Sequence, residues 1–138
     1  MTYFNKNKTI GSVESFTGGK FSSSIVAIPN ASKIFKGSLV LYNTKLKEKF
    51  GIEIKNGVIN KETALRMSQV GKEILEVDIC VSFTGNAGPK SMEGKPVGLV
   101  YIAINEDVYE LNFLGDRKEI QEQAIKFVKN KLKIPDVF

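Results

Sequence analysis

The chain has 138 residues, 42% of them hydrophobic and 25% charged, with 12 glycines and 4 prolines. That fits one compact domain around a single buried core and excludes disordered, collagen-like or linker-like chains. Twenty basic residues against fifteen acids give a net charge of +5, but the lysines are scattered and only Arg66 and Arg117 supply guanidinium groups, so neither the arginine forks nor the aromatic platforms of nucleic-acid recognition stand out.

Residues 1–10 carry Asn5, Lys6, Asn7, Lys8 and Thr9 and lack the apolar stretch of a secretory signal. The apolar runs at 25–28 and 97–104 are far below the roughly 20 residues that cross a bilayer. A cytoplasmic protein with no membrane partner is expected. Residues 9–14 read as a short strand that ends in Ser15-Phe16-Thr17-Gly18-Gly19. Phe21, Ile25 and Ile28 then recur at helical spacing, and Pro29 and Asn30 close that helix. A second strand is expected over 35–42. The lysine-rich segment 43–50 after it is either a short helix or an exposed turn, and Asn56-Gly57 marks the next turn.

Asn60 is placed to cap a helix running to about Leu75, with Ala64, Met67, Gly71 and Ile74 on one face. Residues 76–83 form a nearly continuous apolar run, the mark of a strand covered by helices on both sides. The lone cysteine, Cys80, sits in this run as a small buried hydrophobe. The loop Thr84-Gly85-Asn86-Ala87-Gly88-Pro89 follows. Residues 96–104 and 108–114 form two strands whose short link, Asn105-Glu106-Asp107, implies an antiparallel hairpin. Asp116 and Glu119 make a capping-box signature for a last helix with an apolar stripe of Ile120, Ala124, Phe127 and Val128. Lys129 and Lys131 in its last turn complement the helix dipole. This order of elements predicts a three-layer α/β/α sandwich around a mixed, mostly parallel five-stranded sheet.

The chain has no histidine. His-based triads, His-ligated zinc and imidazole bases are thereby removed, so catalysis would fall to Ser, Thr, Lys, Tyr or carboxylates. No metal-ligand spacing is evident, and no cofactor is expected. The two Gly-containing loops, at 15–19 and 84–89, each follow a buried strand and so meet at the sheet edge where open α/β folds place ligands. A bare backbone there admits a ligand closely, and the helix start after Gly19 points N–H groups at an anion. Ser, Thr and Gly also make ordinary turns and caps.

Glu14-Ser15-Phe16-Thr17-Gly18-Gly19 resembles the Glu-Ser-Cys-Thr-Gly-Gly motif of the CinA carboxy-terminal domain, the nicotinamide mononucleotide deamidase family. Segments 37–47, 57–67, 84–89 and 95–103 agree in order, and Gly115-Asp116-Arg117 supplies that family's turn before the last helix, so the resemblance spans about residues 9–132. It implies metal-free hydrolysis of the carboxamide of nicotinamide mononucleotide, giving nicotinate mononucleotide and ammonia. In that resemblance Ser15 is the nucleophile, Lys47 the base or proton shuttle, and Tyr42 orients the nicotinamide or relays a proton. Thr17, Gly18, Gly19, Ser32, Thr84 and Gly85 line the pocket, and Arg117 clamps the 5′-phosphate.

The residues also carry plainer readings. Lys47, between Lys45 and Lys49, fits a solvated face; Tyr42 fits a core position; Ser32 fits a cap; Arg117 fits an ion pair with Asp116, Glu119 or Glu122. Phe16 stands where the family has cysteine, Lys45 where an acid is common, and Lys90-Ser91-Met92-Glu93 replaces a glycine-rich run. The family's leading helix is expected to be absent, which would expose a sheet face or hand its cover to a partner chain, and a homo-oligomer is expected. A non-catalytic nucleotide-binding module of the same fold is the rival expectation, and a phosphate-ester or other amide hydrolase using the same serine is a third.

Overall fold

The computed structural model describes residues 7–135. Its elements are β1 (Ile10–Glu14), α1 (Lys20–Val26), β2 (Phe35–Val40), α2 (Thr44–Lys49), α3 (Lys61–Leu75), β3 (Ile79–Gly85), β4 (Leu99–Ile104), β5 (Asp107–Asn112) and α4 (Arg117–Leu132), with a 3-10 turn over Ala31–Lys33 before β2. The five strands form one sheet in the order β2-β1-β3-β4-β5. β1 lies parallel to β2 and β3, whereas β4 is antiparallel to both β3 and β5. Four strands therefore run one way and β4 alone opposes them. The C-terminal ends of β1, β2 and β3 share one edge, and the site is built there.

Alternation along each strand divides the core in two. Ile10, Val81, Phe83, Val100 and Ile102 face α1 and α4, where they meet Phe21, Ile25, Ile120, Ala124 and Val128. The Phe21 and Phe83 rings lie 5.3 Å apart in a tilted arrangement. On the other face Val13 and Cys80 pack against Met67, and Ala103 and Tyr101 pack with Ala64 and Ile59. Helices thus cover both faces, as the continuous apolar run of β3 requires. Cys80 is fully buried, and that burial pushes its thiol up to about 12, so it is an inert packing group.

Several boundaries differ from the sequence expectation. β2 stops at Val40, and Tyr42 leaves the sheet with 62% of its surface exposed. β3 starts at Ile79 because Glu76 adopts a left-handed φ of 52° as the C-cap of α3. Ile74 is 45% exposed rather than on the buried face. At 100° per residue it lies about 80° off the line through Ala64, while Leu75 returns to it and packs against the second core. Lys129, in the last turn of α4, is 2% exposed and so lies buried rather than on that helix's solvent side. The β4–β5 link is a two-residue turn, with Ile104 paired to Asp107 and Asn105 at φ 55°. Both halves of the expected capping box on α4 are formed.

α3 sits unusually close to the sheet at Gly71. A Cβ added there would press on the Val13 side chain and stand 2.7 Å from Cys80 Sγ. Gly71→Ala should therefore lose about 1–3 kcal/mol to overpacking, despite alanine's better helix propensity of about 1 kcal/mol. Urea denaturation measures this, and an unchanged or raised midpoint would contradict the close seating of α3.

Candidate active site

The site begins with an acid buried at the end of β1. Glu14 is 0% exposed, and its carboxylate accepts hydrogen bonds from Ser12 Oγ, Thr17 Oγ1 and the amides of Gly19, Phe21 and Ser22, at 2.8–3.1 Å. Gly19, the N-cap of α1, has no side chain to satisfy the first turn, and Glu14 does so instead. The amides that the sequence offered to a ligand's anion are thus occupied by the protein's own carboxylate. Thr17 and Gly19 serve this internal bond network, and the exposed Gly18 completes the turn at φ 58°, its amide donating to the Ser15 carbonyl.

Strand alternation then sends Ser15 to the opposite face. Its amide continues the ladder by donating to the Phe83 carbonyl, which fixes its backbone, and the residue is 7% exposed. Gln121 of α4 donates to the Phe16 carbonyl and holds the next residue from the other side. Against Ser15 lies α2, whose N-cap Asn43 accepts from the Leu46 amide. On this six-residue helix Lys45 and Lys49 face solvent, whereas Lys47 points inward and is 1% exposed.

Lys47 Nζ donates to Ser15 Oγ at 3.0 Å and to the Tyr42 carbonyl at 3.2 Å. Burial lowers its pKa from 10.5 to about 8, with the Glu93 carboxylate opposing part of the fall. An amine in this range has a substantial neutral fraction near neutrality. Within reach of a hydroxyl it can take that proton and return it, which is the requirement for a serine–lysine nucleophile pair.

Arg117, the first residue of α4, donates to the Tyr42 hydroxyl at 2.8 Å and also to the Gly88 carbonyl. It pairs with these groups rather than with the neighbouring acids. Ser15, Lys47, Tyr42, Arg117 and Gly88 therefore form a connected chain from four separate segments. Thr84 lies one step beyond the Glu14↔Phe83 pairing, beside Ser15, but its hydroxyl donates to the Val58 carbonyl at 2.7 Å. Gly85 is needed for packing, since a Cβ there would meet Val100 at 2.6–2.7 Å. Ser32 is not brought to this group. It is exposed on the 3-10 turn before β2, at the opposite end of the sheet and roughly a strand length, about 15–20 Å, from Ser15.

Three residues beyond those expected from the sequence organise the site. Glu14 was visible as an acid closing a buried strand before a Gly-Gly turn. Asn86, 1% exposed, donates to the Lys90 and Lys95 carbonyls and accepts from the Gly88 amide, shaping the loop that carries Gly88. Glu93 accepts from the Val58 and Ile59 amides, and nothing local in the sequence announces that. Among the described residues there is no cluster of three or more potential metal ligands, and no helix is long and apolar enough to cross a membrane.

Fold and site together define an α/β domain with a buried serine–lysine pair at the C-terminal ends of parallel strands. The profile of the CinA C-terminal domain matches residues 2–134, and the chain belongs to that family. It is 43% identical over 132 residues to a CinA-like protein of Petrotoga mobilis, a match covering 88% of this chain and 32% of that protein. The chain spans about a third of the length of the curated relatives it matches. Among solved structures, a CinA superfamily protein from Klebsiella pneumoniae superposes with a TM-score of 0.89 at 21% identity, covering 94% of this chain and 87% of that one. A competence or damage-inducible protein from Enterobacter asburiae gives 0.88 at 25%, covering 93% and 87%.

The lowered Lys47 pKa has a stability consequence. Below about pH 8 the native state holds a protonated, buried amine, a cost that is relieved as pH rises from about 8 towards the unfolded value of 10.5. Lys47→Met should thus be more stable than wild type at pH 7 by about 1–3 kcal/mol, with the gap narrowing across that window. Denaturation at several pH values tests this, and a gap that does not vary with pH would contradict it.

Proposed function

We propose that this domain hydrolyses the carboxamide of nicotinamide mononucleotide to nicotinate mononucleotide and ammonia. The observation that carries the reading is the 3.0 Å contact between Lys47 Nζ and Ser15 Oγ, with the lysine pKa lowered to about 8. Neutral Lys47 takes the Ser15 proton as Oγ attacks the amide carbon. The resulting ammonium gives a proton to the departing nitrogen, ammonia leaves, and an ester on Ser15 remains. Water then attacks that ester while Lys47 accepts its proton, and return of the proton to Ser15 Oγ releases the acid. The Tyr42 carbonyl holds the amine in place through both halves.

The 5′-phosphate falls to Arg117, whose guanidinium stands beside Tyr42 at the open side of the site. Binding would exchange the Gly88 carbonyl for phosphate oxygens, a stronger partner for a guanidinium. In this reading Thr84 and the Gly85 backbone contribute through the loop they anchor, and Thr17 and Gly19 by fixing Ser15.

Ammonia release from nicotinamide mononucleotide by the purified protein is the test. We expect kcat/KM to rise with pH through a midpoint near 8, because the reactive form of Lys47 is the deprotonated one. Ser15→Ala should abolish release while leaving the fold and nucleotide affinity nearly intact. A protein that binds the nucleotide but releases no ammonia would instead be the non-catalytic module.

Arg117→Ala should weaken binding of the nucleotide by about 1.5–3 kcal/mol, the scale of a hydrogen bond to a charged group, and hardly affect nicotinamide riboside, which lacks the phosphate. Arg117→Lys should recover part of that loss. Calorimetric titration of both ligands measures this, and equal losses would place Arg117 in the scaffold alone.

A further inference from the structure

The loop between β3 and β4 carries a feature that the serine–lysine chemistry does not use. Residues 92–95 form a tight hairpin, with Met92 and Lys95 exchanging both backbone hydrogen bonds and with Glu93 and Gly94 at φ 53° and 70°. Turns with two successive left-handed residues favour Asn, Asp or Gly at the first position. A glutamate there is strained, because its Cβ crowds the backbone in the left-handed region. Its side chain compensates: the two carboxylate oxygens accept from the Ile59 and Val58 amides at 3.0 and 2.9 Å. Gly57 makes room, since a Cβ at that position would lie 2.5–2.7 Å from the same carboxylate.

What this carboxylate joins is specific to the site. Residues 57–60 hold Thr84 through the Val58 carbonyl and start α3 through Asn60. The loop that carries Glu93 also presents Gly88, which holds Arg117 and, through it, Tyr42. We propose that Glu93 is a positioning residue for the candidate active site, its carboxylate fastening the 92–95 hairpin to the loop before α3. Of the charged groups around Lys47, Lys45, Glu48 and Lys49 lie on its own helix and face solvent, and Arg117 is engaged with Tyr42 and Gly88. The Glu93 charge favours the protonated form of the amine against burial. The catalytic consequence rests on the amidohydrolase reading above; the contacts do not.

The experiment uses the whole chain and needs no turnover. Lysine side chains are labelled for NMR, Lys47 is assigned by comparison with Lys47→Arg, and its titration is followed in wild type and in Glu93→Gln, which keeps the shape and loses the charge. We expect the Lys47 midpoint to move to lower pH by about half a unit or more in that variant. In Glu93→Ala the amide protons of Val58 and Ile59 should exchange about tenfold faster, whereas Glu93→Gln should retain part of that protection. An unmoved Lys47 midpoint, or unchanged exchange at both amides in Glu93→Ala, would overturn the inference. A wild-type protein silent on nicotinamide mononucleotide, but with the midpoint shift present, would count against the amidohydrolase and for the role of Glu93.

Discussion

Everything at the site hangs from one buried carboxyl group. Taking a carboxylate out of water costs several kcal/mol even after the protein relaxes, and Glu14, with no exposed surface, is tolerated because five donors converge on it. Three of those donors are main-chain amides at the start of α1, so the requirement to solvate one side chain also dictates where the chain turns and where the helix begins. Ser15 gains its place as the next residue along. With Glu14 committed to the α1 face and the Ser15 amide committed to β3, the hydroxyl has little choice but to face α2. The Ser15 hydroxyl is placed by its neighbour's demands together with its own two contacts, the amide hydrogen bond to Phe83 and the Lys47 amine.

The same logic explains which parts of the molecule could be read from residues alone. Periodicity and caps reflect local physics, so β1, α3, the β4–β5 hairpin and the capping box on α4 emerge with only their ends displaced. Glu76 and Tyr42 show why ends go astray: a left-handed cap and a departure from the sheet are chosen by the packing of neighbours. In the lysine-rich segment, composition cannot distinguish Lys45, Lys47 and Lys49. Only the packing of α2 against β1 buries the middle one. The Ser15 and Lys47 pairing was suggested by resemblance and is met by their contact, while Ser32, drawn from the same source, lies at the far end of the sheet. Glu93 was beyond reach because its partners are the amides of Val58 and Ile59, and a backbone amide leaves no trace in a sequence.

Lys47 and Glu14 are opposite solutions to the same problem. The acid is surrounded by donors, with both carboxylate oxygens satisfied. The amine has a hydroxyl and a carbonyl for company, and burial drives it towards the neutral form. The acid holds the structure in place; the amine is held at a cost to the structure.

The contacts also differ in how far apart their partners lie along the chain. Ser15 and Lys47 are 32 residues apart, whereas Tyr42 and Arg117 are 75 apart and meet only after β3, β4 and β5 have come between them. Long-separation contacts carry the largest loop-closure entropy and tend to be late events in folding. The Ser15–Lys47 contact therefore belongs to an early-closing half of the domain and the arginine to the last helix laid down. Because Arg117 directly follows the capping aspartate Asp116, fraying of the first turn of α4 would release Tyr42 and Gly88 together while leaving Ser15 and Lys47 in contact. The two contacts are thus separable in local stability, with the helix cap as the joint between them.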